Sequence, residues 1–296
     1  MIQETNFVII VLGDIAVDIV SLLQRPLIRG SDAAAEVCVM PGGSGANVAV
    51  WLARLGQPVT FIGRIGDDLF GRWLADDLAR EGVLPALAVD RQRRTGMIQV
   101  LVEPDGERTM VPDRGANAHW HEEDASEDLI AAADLLHIVG YVLLDAASRR
   151  GALQAMAHAR RHHVPISLDP STHAALVAET PARFWQMVGP VDLLLPNRSE
   201  AQTLAATTDL DVALAVLRGH ARVVAIKLDR DGCLARTAAG RWRAAAPPAQ
   251  IVNATGAGDA FNAAFMARWL RDGDVAAACR AGVALGTYAA TLPTTR

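Results

Sequence analysis

Residues 253–259, Asn-Ala-Thr-Gly-Ala-Gly-Asp, set a carboxylate directly behind three small residues and ahead of an alanine-rich helical pattern. Small residues leave the first amides of a helix bare, and the positive end of its dipole favours an anion there. A phosphoryl group seated on those amides would have Asp259 beside it, placed to take a proton from an attacking hydroxyl. The competing reading is an ordinary helix start, with Thr255 as its cap and Asp259 incidental. Five residues do not decide between the two.

Three further stretches carry candidate chemistry. Glycines at 42, 43 and 45 precede a helical pattern with Val48, Leu52 and Leu55 on its apolar face. Asn47 adds a side chain suited to sugar hydroxyls. With Val48 where a third glycine belongs, the run fails as a dinucleotide fingerprint, and a plain strand–turn–helix junction explains it as well. Next, Asn197-Arg198-Ser199-Glu200 follows the apolar run 191–195 and opens a helix. Either Ser199 caps that helix with Glu200 at its positive end, or Asn197 and Glu200 hold waters around a magnesium ion. Last, the strand pattern ending at Lys227 runs into an Asp231-Gly232 turn against which a nucleotide could lie. His158, His162 and His163 fall in an arginine-rich helical stretch and read as a solvated face, not as metal ligands.

Composition narrows the partners. A net charge of −5 argues against nucleic acid and against an anionic membrane surface. Lys227 is the only lysine, so no Gly-Lys-Ser/Thr phosphate loop exists. Cys38, Cys233 and Cys279 are odd in number and far apart in sequence, which predicts a reducing cytoplasm and no disulfide framework. The apolar start at 7–20 carries Asp14 and Asp18, unlike a signal peptide or a membrane span.

These groups need a scaffold. Strand-like runs at 7–12, 59–62, 134–139, 164–168, 191–195 and 222–228 alternate with helical patterns at 45–55, 68–82, 148–162 and 199–206. Such alternation predicts βαβ units and an α/β sheet covered on both faces, in one domain over 1–296. Two segments break it. Residues 16–40 read as short extended pieces around a turn at 29–32, and 96–112 as a hairpin about Pro104-Asp105-Gly106. Together they predict a small antiparallel sheet that serves as a lid.

In order and spacing, these motifs resemble the ribokinase-like (PfkB) family of carbohydrate and nucleoside kinases. The resemblance runs from Gly13 to the last helical pattern. It implies a three-layer α/β/α sandwich with a mostly parallel central sheet and a β-sheet lid. It also implies transfer of the ATP γ-phosphate, with magnesium, to a hydroxyl of a small sugar, sugar acid or nucleoside. Matched position by position, Asp259 is implied as the base and Gly256, Ala257 and Gly258 as the anion hole. Asp14, Asp18, Gly42, Gly43, Asn47 and Tyr141 are implied on the sugar side. Asn197, Lys227, Asp229, Gly232 and Thr255 fall on the nucleotide side with Gly256 and Gly258, and the segment around Lys227 to Gly232 and the helix at 275–290 are implied to flank the adenine. Asn197 and Glu200 match the magnesium motif, acting through water, and a homodimer through the lid is a family-level expectation.

Some positions depart from the family. Ribokinase has Asn at the position of Ala16 and Lys at that of Ser44, and residues 140–145 lack its sugar-binding Glu, which argues against ribose. Tyr141 and Met97 are then expected to shape the acceptor pocket. Asp229 replaces a usual glycine. Asn253 replaces an Asp of the potassium-activated members, so activation by a monovalent cation (K+) is not implied. These changes leave a catalytically silent sugar- or nucleotide-binding protein as the alternative.

Overall fold

The computed structural model describes residues 7–105, 107–171 and 180–296. Its main sheet starts from an unbroken aliphatic run. Every residue of β1 (Ile9–Leu12) is buried, Ile9 and Val11 in one core layer and Ile10 and Leu12 in the other. A strand apolar on both sides needs helices on both faces.

On one face pack α1 (Ser44–Arg54), α2 (Leu69–Arg80), α8 (Ala257–Asp272) and α9 (Val275–Ala290), around Trp51, Phe61, Phe261 and Phe265. On the other lie α3 (Glu127–Ala131), α4 (Ala146–Arg161), α5 (Pro181–Val188), α6 (Arg198–Ala205) and α7 (Leu210–Leu217), around Met156, Phe184 and Trp185. The expected three-layer sandwich is present.

The strands beside β1 are β4 (Val59–Gly66) and β5 (Leu84–Asp90) on one side. On the other side come β8 (Leu135–Val139), β9 (Ile166–Asp169), β10 (Val191–Leu194) and β11 (Ala221–Lys227) in turn. These seven pair in parallel, and β12 (Cys233–Arg236) and β13 (Arg241–Ala244) close the far edge antiparallel. Connections leave β1 and β8 in opposite directions, which opens a crevice at the carboxyl ends of the strands. Asp14, Tyr141, Asp169 and Asn197 all follow or end strands at this crevice.

The smaller sheet holds β2 (Ala16–Leu23), β3 (Ala35–Gly42), β6 (Gly96–Val102) and β7 (Arg108–Asp113) in the order β3-β2-β6-β7. It is not wholly antiparallel as expected: β2 and β6 pair in parallel, Val17 opposite Met97. The reason lies in the main sheet. The two strands continue β1 and β5, which are themselves parallel, so they leave the same edge in the same sense. The pieces expected over 16–40 are two eight-residue strands, and β3 leads straight into α1. In the β6–β7 hairpin Glu103 N–H donates to Glu107 C=O at 2.9 Å; the expected turn glycine, Gly106, lies outside the described residues.

Two local expectations are corrected, on His158 and on Ser199. His158 is buried rather than solvated, with Nδ1 3.0 Å from Glu127. The helix at 198–205 is capped by Asn197 rather than Ser199. Cys233 and Cys279, distant in sequence, are buried free thiols with sulfurs 3.7 Å apart. No helix among the described residues is long and apolar enough to cross a membrane.

Candidate active site

The turn at 254–258 brings Asp259 into the first turn of α8, with Gly256 as N-cap at φ 82°. A side chain at Gly256 would be strained, and its Cβ would stand 2.2 Å from the Thr295 carbonyl oxygen. Thr255 is therefore not the cap; its amide donates to Asn253 Oδ1 at 2.9 Å, and its hydroxyl accepts from Arg108 of β7.

Asp259 is buried and held at both oxygens. Ser44 Oγ donates to Oδ1 at 2.6 Å and Asn47 Nδ2 to Oδ2 at 3.0 Å. Burial pushes its pKa up to about 7 against the pull of these two donors. Both donors sit on α1, whose own start is organised by Asp14: its two oxygens accept the amides of Ser44 and Gly45 at 3.3 and 3.2 Å. Gly43 makes that junction possible, with φ 92° and no room for a Cβ beside Ile15. The glycines of this run thus approach the protein's own backbone, and at Gly42 the carboxylate of Asp18.

Asp14, Asp18, Gly43, Asn47, Tyr141 and Asp259 line one cavity of about 1790 Å³ with Asn197, Glu200, Lys227, Asp229, Gly232, Thr255, Gly256, Ala257 and Gly258. Of the substrate-side set only Gly42 is absent from this lining. Among the described residues, Asp18 Oδ1 and Asn47 Oδ1 are buried acceptors without a partner, and Arg114 Nη2 is a donor in the same state. Burial and the neighbouring Asp14 raise Asp18 to about 7; burial also raises Asp14 and the Tyr141 hydroxyl. The apolar wall comes from Ile98, Val100, Met110 and Pro112 of the small sheet. Met97, expected here, alternates to the opposite side and packs on the core.

A family model described as pfkB family carbohydrate kinase matches residues 8–296. The chain belongs to the pfkB family. This carbohydrate kinase is 32% identical to fructokinase-1 of Oryza sativa subsp. japonica over 78% of its own length and 74% of the relative's. It is 28% identical to the 5-dehydro-2-deoxygluconokinase of Bacillus subtilis (strain 168), over 95% and 89%. Adenosine kinase from Sinorhizobium meliloti shares its fold, with a TM-score of 0.89 at 23% identity, covering 99% of this chain and 96% of that one.

Elsewhere along the cavity, Asn197 and Glu200 form a reciprocal capping box. Glu200 accepts from Asn197 N and Nδ2, both at 2.8 Å, and Asn197 Oδ1 accepts from Glu200 N at 2.9 Å. Burial, with Asp169 near by, raises Glu200 to about 7. Asp229 tolerates φ 51°, the left-handed region the missing glycine would occupy freely.

The sequence reading missed Asp169, Asn262, Arg114 and Asn117. Asn117 bridges Ile15 at both its N–H and C=O and so pins the chain between Asp14 and Asp18. Only Asp169 carried a signal, as a carboxylate closing a buried strand at the same sheet edge as Asp14.

Proposed function

We propose that this kinase transfers the ATP γ-phosphate to a hydroxyl, a primary one, of a small sugar, sugar acid or nucleoside. The observation that carries the proposal is Asp259 itself. It is buried, oriented at both oxygens by Ser44 and Asn47, and set directly behind the turn at 256–258, whose Ala257 amide donates to the Ala254 carbonyl at 3.3 Å. Asp259 accepts the proton of the attacking hydroxyl, and the 256–258 amides with the α8 dipole stabilise the charge in transit. The unpartnered acceptors of Asp18 and Asn47 call for a ligand that donates at least two O–H groups, and Arg114 Nη2 for one that also accepts. Asp14 serves this end by fixing the start of α1, and Tyr141 walls the pocket. The β2–β3–β6–β7 sheet acts as the lid over it, excluding water.

Among the described residues no three His, Cys, Asp or Glu side chains converge on a metal cage. Magnesium keeps most of its waters and relies on substrate phosphates, so Asn197 and Glu200 would hold it through water. When bound, magnesium supplies neutralising charge to the phosphates. Asn253 spends its oxygen on Thr255 and its amide on Pro293, so turnover is expected to be the same in K+, in Na+ and without either. Val37 and Val39 of β3 and Val111 of β7 are exposed on the lid, which favours a homodimer through that sheet; light scattering on the purified chain reads it directly.

The test is turnover of Mg·ATP against a panel of sugars, sugar acids and nucleosides. Asp259→Asn is expected to lose on the order of 10²–10⁴ in kcat on any acceptor found. Near-normal turnover by that variant defeats the assignment. A chain that binds acceptor and nucleotide yet forms no ADP is instead a silent binding protein.

A further inference from the structure

Among the described residues the chain passes between the two sheets four times: before Ala16, after Gly42, before Gly96 and after Asp113. Three of these crossings are tied to one another. Asn117 holds Ile15 at both its N–H and its C=O, and Ala116 N–H donates to Arg94 C=O at 2.9 Å. The crossing before Gly96 is also fastened to the main domain, by the side chain of Thr95.

Thr95 is 1% exposed. Its N–H donates to Asp68 Oδ2 and its hydroxyl to Asp68 Oδ1, both at 2.8 Å, while the hydroxyl accepts from Gly66 N–H at 3.0 Å. A Cβ on Gly66 would stand 2.5 Å from Thr95 N, so the approach needs glycine there. Asp68 caps α2 by accepting from Gly71 N–H at Oδ1, 2.8 Å away. Capping uses one oxygen of the carboxylate; the other is given to the Thr95 amide, so Asp68 does more than start a helix.

Neither Thr95 nor Asp68 lines the cavity that holds Asp18 and Asp259, but Ile98 does. Ile98 stands three residues beyond Thr95, about 10 Å along an extended strand. It pairs with Asp18 on one side and with Pro112 on the other, and Val100 pairs with Met110. The apolar wall and the Asp18 carboxylate therefore lie in rows across the small sheet, and those rows follow from where β6 begins.

Resting on the kinase reading above, we infer that Thr95 is a positioning residue for the acceptor: clamped by Asp68 and the Gly66 amide, it sets how the row of Asp18, Ile98 and Pro112 stands over Asp259. It acts through β6 and touches neither the acceptor nor the nucleotide.

Thr95→Val keeps the shape of the side chain and removes its hydroxyl. Assayed well below its melting temperature, this variant is expected to lose about 10-fold or more in acceptor kcat/KM, with KM for Mg·ATP within about 3-fold of wild type. Thr95→Ser restores the hydroxyl and should stay within about 3-fold of wild type on both. Asp68→Asn keeps a cap on α2 but gives Thr95 one acceptor oxygen in place of two. It serves where Thr95→Val does not fold, with an expected loss of about 3- to 10-fold in acceptor kcat/KM. Hydrogen exchange should show the amides of β6 opening faster in the folded variant and those of β1 as in wild type. Unchanged acceptor kcat/KM, equal losses for acceptor and Mg·ATP, or a loss without faster exchange in β6 overturns the inference and leaves Thr95 a purely structural residue. If wild type phosphorylates no acceptor at all, it is the kinase reading that falls, and this inference with it.

Discussion

At the scale of single residues, the site gathers Asp14, Asp18, Glu200 and Asp259, carboxylates pushed upward by burial and steered by a few donors. Asp259 at about 7 must lose its proton to act as a base, so kcat/KM is expected to rise with pH through that value. Ser44 donates to Asp259 and thereby lowers its pKa. Ser44→Ala should move the acidic limb of the pH–rate profile to higher pH, with the protein still folded; an unmoved limb would separate that limb from Asp259. The sequence marked position 44 only as a departure from ribokinase. What it hid was the partner: Ser44 and Asp259 stand 215 positions apart, and spacing along the chain cannot show that meeting.

At the scale of elements, helix starts do most of the positioning. The start of α8 depends on Gly256, and Gly256→Ala meets both left-handed strain and the Thr295 carbonyl oxygen. It should lower the melting temperature and abolish turnover together. Asn197→Ala removes a cap worth about 0.5–2 kcal/mol and leaves Glu200 short of a buried donor. Its melting temperature should therefore fall further than for Ser199→Ala, which removes no cap. The parallel strands were legible as aliphatic runs without polar alternation, and the helices between them as periodic patterns. The small sheet was legible in its strands but not in its direction, because parallel pairing of β2 with β6 is set by how β1 and β5 lie in the main sheet. The cap at Asn197 was ambiguous for a related reason: asparagine and serine two positions apart both suit the role, and only the backbone angles choose.

At the scale of the molecule, the buried carboxylates tie stability to pH. Asp18 has an ordinary value of 3.8 and a folded value of about 7, so the native state holds a proton that the unfolded chain has lost over that interval. The stability from this proton is complete below about pH 4 and is lost as pH rises through 7. Asp18→Asn, which cannot ionise, should melt several degrees above wild type at pH 8 and close to it at pH 4. A gap that fails to widen with pH would mean that Asp18 is not the group responsible.

The parallel pairing of β2 with β6 also orders events during synthesis. β2 and β3 are complete by residue 42, but the strand beside β2 begins only at Gly96. Between them come α1, β4, α2 and β5, which must set the direction in which β6 emerges. A nascent chain released before residue 96 carries an unpaired β2 edge beside the exposed Leu22, Val37 and Val39, a surface prone to self-association. Closing that edge waits on a long-range pairing, which is slow to form. The acceptor wall is therefore expected to be the last part of the amino-terminal half to order as the chain leaves the ribosome.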